Sequence, residues 1–389
     1  MIDNLKIKSL FPVYLLGFLF AFHTALPTYI NSSFLNFFIS EKLVGLFYIL
    51  ASLLTIICFL SLPFILRKFG NYRVAFFLII LNLVALLGLA FLKNPIFLLT
   101  LFIINLITIP LIYFSTDVFL ESFSSNKVTG KIRGIYLTAV NLAWVVSPLI
   151  SALILTNGDY WKIYLASALF LLPVLLILMV NLRHFKDSKY EKSNHWQTVK
   201  VIWKNKNLQN IFMANFLLFF FYSWMTIYTP LYLHKDMGFS WREIGLIFSV
   251  MLLPFVLVQF PLGRLADKKW GEKEILSLGF ILIAISTGVI SFVMDKNMIL
   301  WMIILFITRI GAGTIEIMCD TYFFKKVDSL DAKVISFYRM VSSSAYILGP
   351  LLAVLAFNFL SFNIKYLFLV LGLIMIFGLK FSLSLKDTK

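Results

Sequence analysis

Ser40-Glu41-Lys42-Leu43-Val44-Gly45-Leu46 is answered 200 positions later by Ser240-Trp241-Arg242-Glu243-Ile244-Gly245-Leu246. The echo recurs along the chain. Pro27-Thr28-Tyr29 matches Pro230-Leu231-Tyr232, Phe69-Gly70 matches Trp270-Gly271, and Asp117 matches Asp320. The stretch from Tyr136 to Ser147-Pro148 returns as Tyr338 to Gly349-Pro350. In a chain of 389 residues, such a shift divides the sequence into two repeats of nearly equal size.

Both repeats are built of apolar segments. The chain is 61% hydrophobic and 13% charged, with mean hydropathy +0.93, and soluble proteins carry about twice that charged fraction. A hydrocarbon layer about 30 Å thick needs roughly 20 apolar residues of helix to span it. Twelve segments qualify: 11–30, 43–65, 73–92, 95–116, 133–155, 161–182, 210–233, 243–263, 275–294, 298–324, 334–357 and 363–385. Helix is the conformation expected, because lipid offers no partner to open backbone groups. Continuous apolar runs such as Phe76–Leu81 lack the alternation of a membrane barrel strand. The expectation is therefore an all-α polytopic membrane protein, with twelve transmembrane helices in two pseudo-symmetric six-helix bundles. Internal duplication of this kind points to a transporter that rocks one half against the other.

The formal charge of +16 is a topology signal. With the N-terminus in the cytoplasm and twelve spans threaded, 25 Lys and Arg fall on the cytoplasmic side and seven on the other. Arg309 and Arg339 lie within spans. That asymmetry follows the positive-inside rule, places both termini in the cytoplasm, and leaves no footprint for nucleic acid. Cys58 and Cys319 both fall inside apolar spans, which argues against a disulfide framework or a metal site. The first span follows Lys6 and Lys8 without a small-residue cleavage site and is expected to stay as an anchor. A bacterial-type cytoplasmic (inner) membrane is the expected location.

The longest polar stretch, Arg183 to Asn207, separates the halves. The expected organisation is residues 1–182 as one bundle, 183–209 as a cytoplasmic linker, and 210–389 as the second bundle. Trp196, Val199 and Trp203 at helical spacing predict a short helix on the inner membrane surface. The remaining connections are too short for a soluble catalytic domain. His184, His195 and His234 are isolated.

Between the eighth and ninth spans stands Gly263-Arg264-Leu265-Ala266-Asp267-Lys268-Lys269-Trp270-Gly271-Glu272-Lys273. This resembles the loop motif of the major facilitator superfamily, at the position the family requires. With twelve spans, two halves and a central linker, the resemblance covers essentially the whole chain. It implies that Gly263, Asp267, Lys268 and Gly271 take part in a cytoplasmic latch of the outward-facing state. The first-half counterpart, Leu62 to Gly70, keeps the basic residues and final Gly but lacks the Asp.

On the tenth span Arg309, Gly313, Glu316 and Asp320 fall at i, i+4, i+7 and i+11 and share a helical face. At 1.5 Å per residue from Met298, Arg309 lies about 16 Å into the helix and Glu316 about 27 Å. Ionisable groups at such depth are costly and mark cavities or partners. Three readings compete: Glu316 carries a proton, Arg309 binds an anionic or hydroxyl-rich solute, or the set is structural with Asp320 paired to Arg339. For Asp320 and Asp117, near the cytoplasmic ends, pairing with nearby cations is the expectation. Arg309-Ile310-Gly311-Ala312-Gly313 also looks like an Arg-x-x-x-Gly core that the family carries on its fourth span.

By the same resemblance, spans 1, 4, 7 and 10 line a central cavity flanked by spans 2, 5, 8 and 11. Candidate lining residues are Asn215, Phe219, Tyr222 and Thr226 on span 7, and Asn141 and Trp144 on span 5. Gln259 on span 8 and Ser343 and Tyr346 on span 11 complete them. His23, a turn before Pro27, joins Arg309 and Glu316 as a candidate for proton coupling or substrate contact. Pro148 and Pro350 at matched positions are expected to bend their helices.

The sequence thus reads as a secondary active transporter of a small solute, expected as a proton-coupled monomer in the lipid bilayer. Among directions, export of an amphipathic compound is favoured over uptake of a sugar- or nucleoside-like nutrient. No cofactor is expected, and no phosphate-cradling Gly-Lys-Ser/Thr run occurs. An enzyme is not expected. A lipid-modifying membrane enzyme would need clustered catalytic residues that four dispersed histidines do not supply. A membrane sensor that binds without transporting is the remaining alternative.

Overall fold

The computed structural model describes residues 2–122, 129–155, 158–185, 195–258, 261–262, 271–326, 332–359 and 363–386. Nearly all of these are helical, and no strand occurs among them. In chain order the first helices are α1 (Ile2–Thr28), α2 (Asn31–Asn36), α3 (Glu41–Phe69), α4 (Asn71–Phe91), α5 (Pro95–Ser122), α6 (Thr129–Ile154) and α7 (Tyr160–Asn181). There follow α8 (His195–Lys204), α9 (Lys206–Leu231), α10 (Trp241–Leu257), α11 (Gly271–Ile290), α12 (Met298–Lys326), α13 (Ala332–Phe359) and α14 (Ile364–Leu383). Eleven helices among the described residues are long and apolar enough to cross a membrane. The segment expected as the eighth span is helical over 17 residues as α10, and residues 259–260 beyond it lie outside the described set.

The stretches that echo one another are helix starts. Ser40 precedes α3 and Ser240 precedes α10. At the second site the Glu243 backbone N–H donates to Ser240 Oγ at 3.3 Å, and the Ser240 N–H donates to Glu243 Oε2 at 2.8 Å. This reciprocal cap satisfies two N–H groups that a helix start leaves without partners. The matched glycines do the same job twice. Gly70 and Gly271 adopt φ of 77° and 76°, a conformation glycine tolerates, and each stands at the start of the next helix.

The chain divides into two compact units, Met1–Ile39 with Leu50–Lys192, and Ser40–Ile49 with Ser193–Lys389. In the first, α1 packs on α6 and α7, and α4 packs on α5 and α7. In the second, α9 packs on α13 and α14, and α11 packs on α12 and α14. The internal packing of the second unit thus repeats that of the first. The short helix α8 packs on α9 and α13 and belongs to the second unit.

Polar side chains fasten helices inside the first unit. Asn82 Nδ2 on α4 donates to Asn105 Oδ1 at 3.0 Å and Thr108 Oγ1 at 2.6 Å on α5, and all three residues are buried. On α7, Ser167 Oγ donates to the His23 carbonyl at 2.6 Å and Tyr164 OH donates to Asn31 Oδ1 at 2.9 Å. Such bonds hold helices together where lipid gives no hydrophobic drive for association.

Close approach of backbones fastens the second unit. A Cβ on Gly311 of α12 would stand 2.8 Å from the Ile283 nitrogen and 3.0 Å from the Gly279 carbonyl oxygen of α11. A Cβ on Gly372 of α14 would stand 2.7 Å from the Ala284 oxygen and 2.9 Å from the Gly288 nitrogen. α11 is therefore clasped on two sides by helices that small residues let in. Gly311→Val pushes α12 off α11, and overpacking of this sort costs about 1–3 kcal/mol. A thermal melt of the purified variant in detergent is expected several degrees below the parent. An unchanged midpoint would show that the contact does not set stability.

Candidate functional site

Packing of α12 on α11 decides where Arg309 points. Gly311 is two residues further on, about 200° around the helix, so the face pressed to α11 lies opposite the face bearing Arg309. That face turns to α9. Arg309 is 2% exposed, and its Cζ lies 5.3 Å from the ring centre of Phe221 and 5.4 Å from that of Tyr222. The guanidinium thus rests against two consecutive aromatic rings, an attraction worth about 2 kcal/mol when water is excluded. Its Nε is enclosed and has no hydrogen-bond partner.

Seven residues along the same face, about 10 Å further by helical rise, stands Glu316. Tyr222 OH donates to Glu316 Oε2 at 3.2 Å. Tyr222 therefore serves both charges, with its ring against Arg309 and its hydroxyl on Glu316. Phe219, one turn back on α9, packs its ring 5.9 Å from that of Tyr222, edge to face. Asn215 is buried one turn before Phe219, and Thr226 is half-buried one turn after Tyr222. The stripe expected on span 7 exists, and Tyr222 is its point of contact with the charged pair.

At the C-terminal end of α12, Asp320 accepts a hydrogen bond from Tyr338 OH at 3.0 Å, the residue beside Arg339 on α13. Tyr338 also stacks on Phe323, with ring centres 4.0 Å apart. The Arg339 side chain is exposed. Ser343 is buried and Tyr346 half-buried further along α13. Gly271 opens α11, while Gln259, Gly263, Asp267 and Lys268 lie outside the described residues.

His23, Asn141, Trp144 and Asp117 belong to the first unit. Asn141, Trp144 and Asp117 are half-buried. His23 is fully buried, with Nδ1 2.8 Å from Ser167 Oγ. Because Ser167 spends its one proton on the His23 carbonyl, Nδ1 must be the donor in that pair. The ring is the neutral Nδ1–H tautomer, and Nε2 is left as a buried acceptor without a partner. His23 fastens α1 to α7.

Two functional contacts escape sequence reasoning. Phe221 is indistinguishable by pattern from its neighbours in the run Phe219-Phe220-Phe221, yet it supplies the second ring against Arg309. Glu272 has a side chain 1% exposed and accepts from Lys325 Nζ at 2.7 Å, joining the start of α11 to the end of α12. Its signal was the charge that directly follows the loop glycine.

Comparison with known proteins agrees with this architecture. No curated protein sequence matches the chain significantly. A crystal structure of a variant of the nucleoside transporter NupG superposes with a TM-score of 0.77 at 12% identity, covering 97% of this chain and 99% of that one. The fold is thus the one that transporter adopts. The sequence profile of the Major Facilitator Superfamily matches residues 9–248 and 241–388. This chain belongs to the major facilitator superfamily, and is a multi-pass membrane transporter rather than an enzyme.

Proposed function

We propose that the chain moves a small polar solute across the membrane by alternating access, coupled to protons through Glu316. The observation that carries this reading is the trio on α9 and α12: a buried cation, a carboxylate, and one tyrosine touching both. A carboxylate at membrane depth is costly as a fixed charge and useful as a proton carrier. Glu316 is surrounded by groups able to respond to its charge, namely Tyr222 by hydrogen bond and Arg309 and Asp320 on its own helix face.

The distribution of Lys and Arg supports a cytoplasmic location for both termini. Export of an amphipathic compound rests on the aromatic side chains of span 7. Two of the aromatics there, Phe221 and Tyr222, are engaged by Arg309, which sets a cation against the rings that an amphipathic cargo would need. Uptake of a polar solute with a co-transported proton is accordingly the first reading. The structural neighbour described as a nucleoside transporter supports a polar cargo.

Proteoliposomes loaded with a pH-sensitive dye, and challenged with a panel of nucleosides, sugars, amino acids and organic acids, test the reading. A solute-dependent inward proton movement is expected for the parent. Glu316→Gln is expected to abolish that movement while still exchanging solute across the bilayer. Parent-level proton movement in the variant would remove Glu316 from coupling.

Tyr222 is separable by chemistry. Tyr222→Phe removes the hydrogen bond and keeps the ring, and a bond to a charged group is worth about 1.5–3 kcal/mol. Solute-driven flux is expected to fall about tenfold in Tyr222→Phe, and further in Tyr222→Leu, which also removes the ring beneath Arg309. Equal rates in all three proteins would exclude Tyr222 from the site.

A further inference from the structure

Arg309 poses a problem that the transport reading does not by itself solve. A guanidinium carries five N–H donors, cannot lose its proton in a protein, and costs several kcal/mol to bury unless acceptors receive those donors. Here the residue is 2% exposed, and Nε is enclosed without an acceptor. The two rings against it satisfy its charge in part, and neither supplies an acceptor to Nε. The carboxylate on the same face does not fill the gap at Nε, and its Oε2 is bonded to Tyr222.

The orientation of the vacancy is informative. Nε–H and the neighbouring Nη–H of a guanidinium form a parallel fork, and here the Nε–H of that fork has no acceptor. That fork matches the two oxygens of a carboxylate, which accept side by side at the spacing the fork offers. Charge count favours a monoanion. Arg309 is the one basic residue of α12 outside the last turn, where Lys325 and Lys326 stand, and α9 has Lys206 alone, at its first residue. A phosphate dianion would meet Arg309 with the Glu316 carboxylate on the same face, and Arg339 of α13 lies near that carboxylate.

We infer that Arg309 is the recognition point for a carboxylate on the transported solute, held by the Nε–H/Nη–H edge while Phe221 and Tyr222 pack against the guanidinium. The inference rests on the transport reading and deepens it, naming a small organic acid as the substrate class. The aromatic rings stabilise the cation and the fork selects the anion. Arg309→Lys keeps the charge and loses the fork.

The test is a thermal melt of the purified full-length chain with a panel of acids, each paired with its neutral amide. The pairs are acetate and acetamide, benzoate and benzamide, and nicotinate and nicotinamide, with inorganic phosphate as a separate arm. A ligand that binds only the folded state raises the midpoint in proportion to its occupancy. At least one acid is expected to raise the parent's midpoint while its amide does not. Arg309→Met is expected to lose that response, and Arg309→Lys to weaken the apparent affinity about tenfold or more. A structural role predicts a different baseline. Because Arg309→Met replaces a buried cation lacking an acceptor at Nε, its midpoint without added acid is expected at or above the parent's, whereas loss of a structural anchor would lower it. Acids and amides acting alike, no acid acting, phosphate acting in place of the acids, or an acid response surviving in Arg309→Met would each overturn the inference. Solute-driven proton movement persisting alongside such a result would retain the transport reading and remove only the carboxylate. A clear acid response without any proton movement would do the reverse.

Discussion

Hydrocarbon contains no water, and most of this structure follows from that constraint. Backbone groups in such a medium must be satisfied within their own segment, so the apolar spans are helices. Helices in lipid gain little from hiding apolar side chains, so contact must come from close approach and from polar bonds. Both devices are present. Gly311 and Gly372 bring α12 and α14 onto α11, and Asn82, Asn105 and Thr108 tie α4 to α5. The same constraint makes a charge at membrane depth expensive, which is why Arg309 and Glu316 carry the functional argument.

The link from packing to chemistry runs through one helix. α12 uses its glycine face to reach α11, and the opposite face presents Arg309 and Glu316 toward α9. Tyr222 then joins the two charges without bringing them into a simple pair. A direct bidentate ion pair would have closed the guanidinium to any ligand. Aromatic rings stabilise the cation and leave its Nε without an acceptor.

Much of the fold was legible in the sequence, because the properties that set it are additive over long segments. Span length, the cation distribution and the 200-residue echo each report on dozens of residues, and Ser40, Ser240, Gly70 and Gly271 mark helix starts that the structure displays. The site was legible in part. Arg309, Glu316 and Tyr222 stood out because ionisable and polar groups are rare in apolar helices. Phe221 did not, since one phenylalanine among 42 has no distinguishing pattern until a cation is placed against it. His23 stood out for the same reason as Arg309, yet its partner Ser167 is 144 residues away, and no local spacing foretells that bond. Asp320, expected to pair with Arg339, accepts a hydrogen bond from Tyr338, the residue before that arginine.

The second unit carries ionisable groups that the first lacks at the matched helix. Their helices pack in the same order, but α12 holds an arginine and a glutamate in mid-helix, whereas its first-half counterpart α5 presents Asn105 and Thr108, which are spent on Asn82. One copy of the repeat uses its polar groups as fasteners, and the other holds the ionisable groups proposed to meet the solute. Experimental density for the protein saturated with its transported solute examines this division most directly. The account predicts density for the solute against the Arg309 guanidinium edge, within reach of Tyr222. Density bound elsewhere, with Arg309 still enclosed between its two rings and untouched, would contradict it.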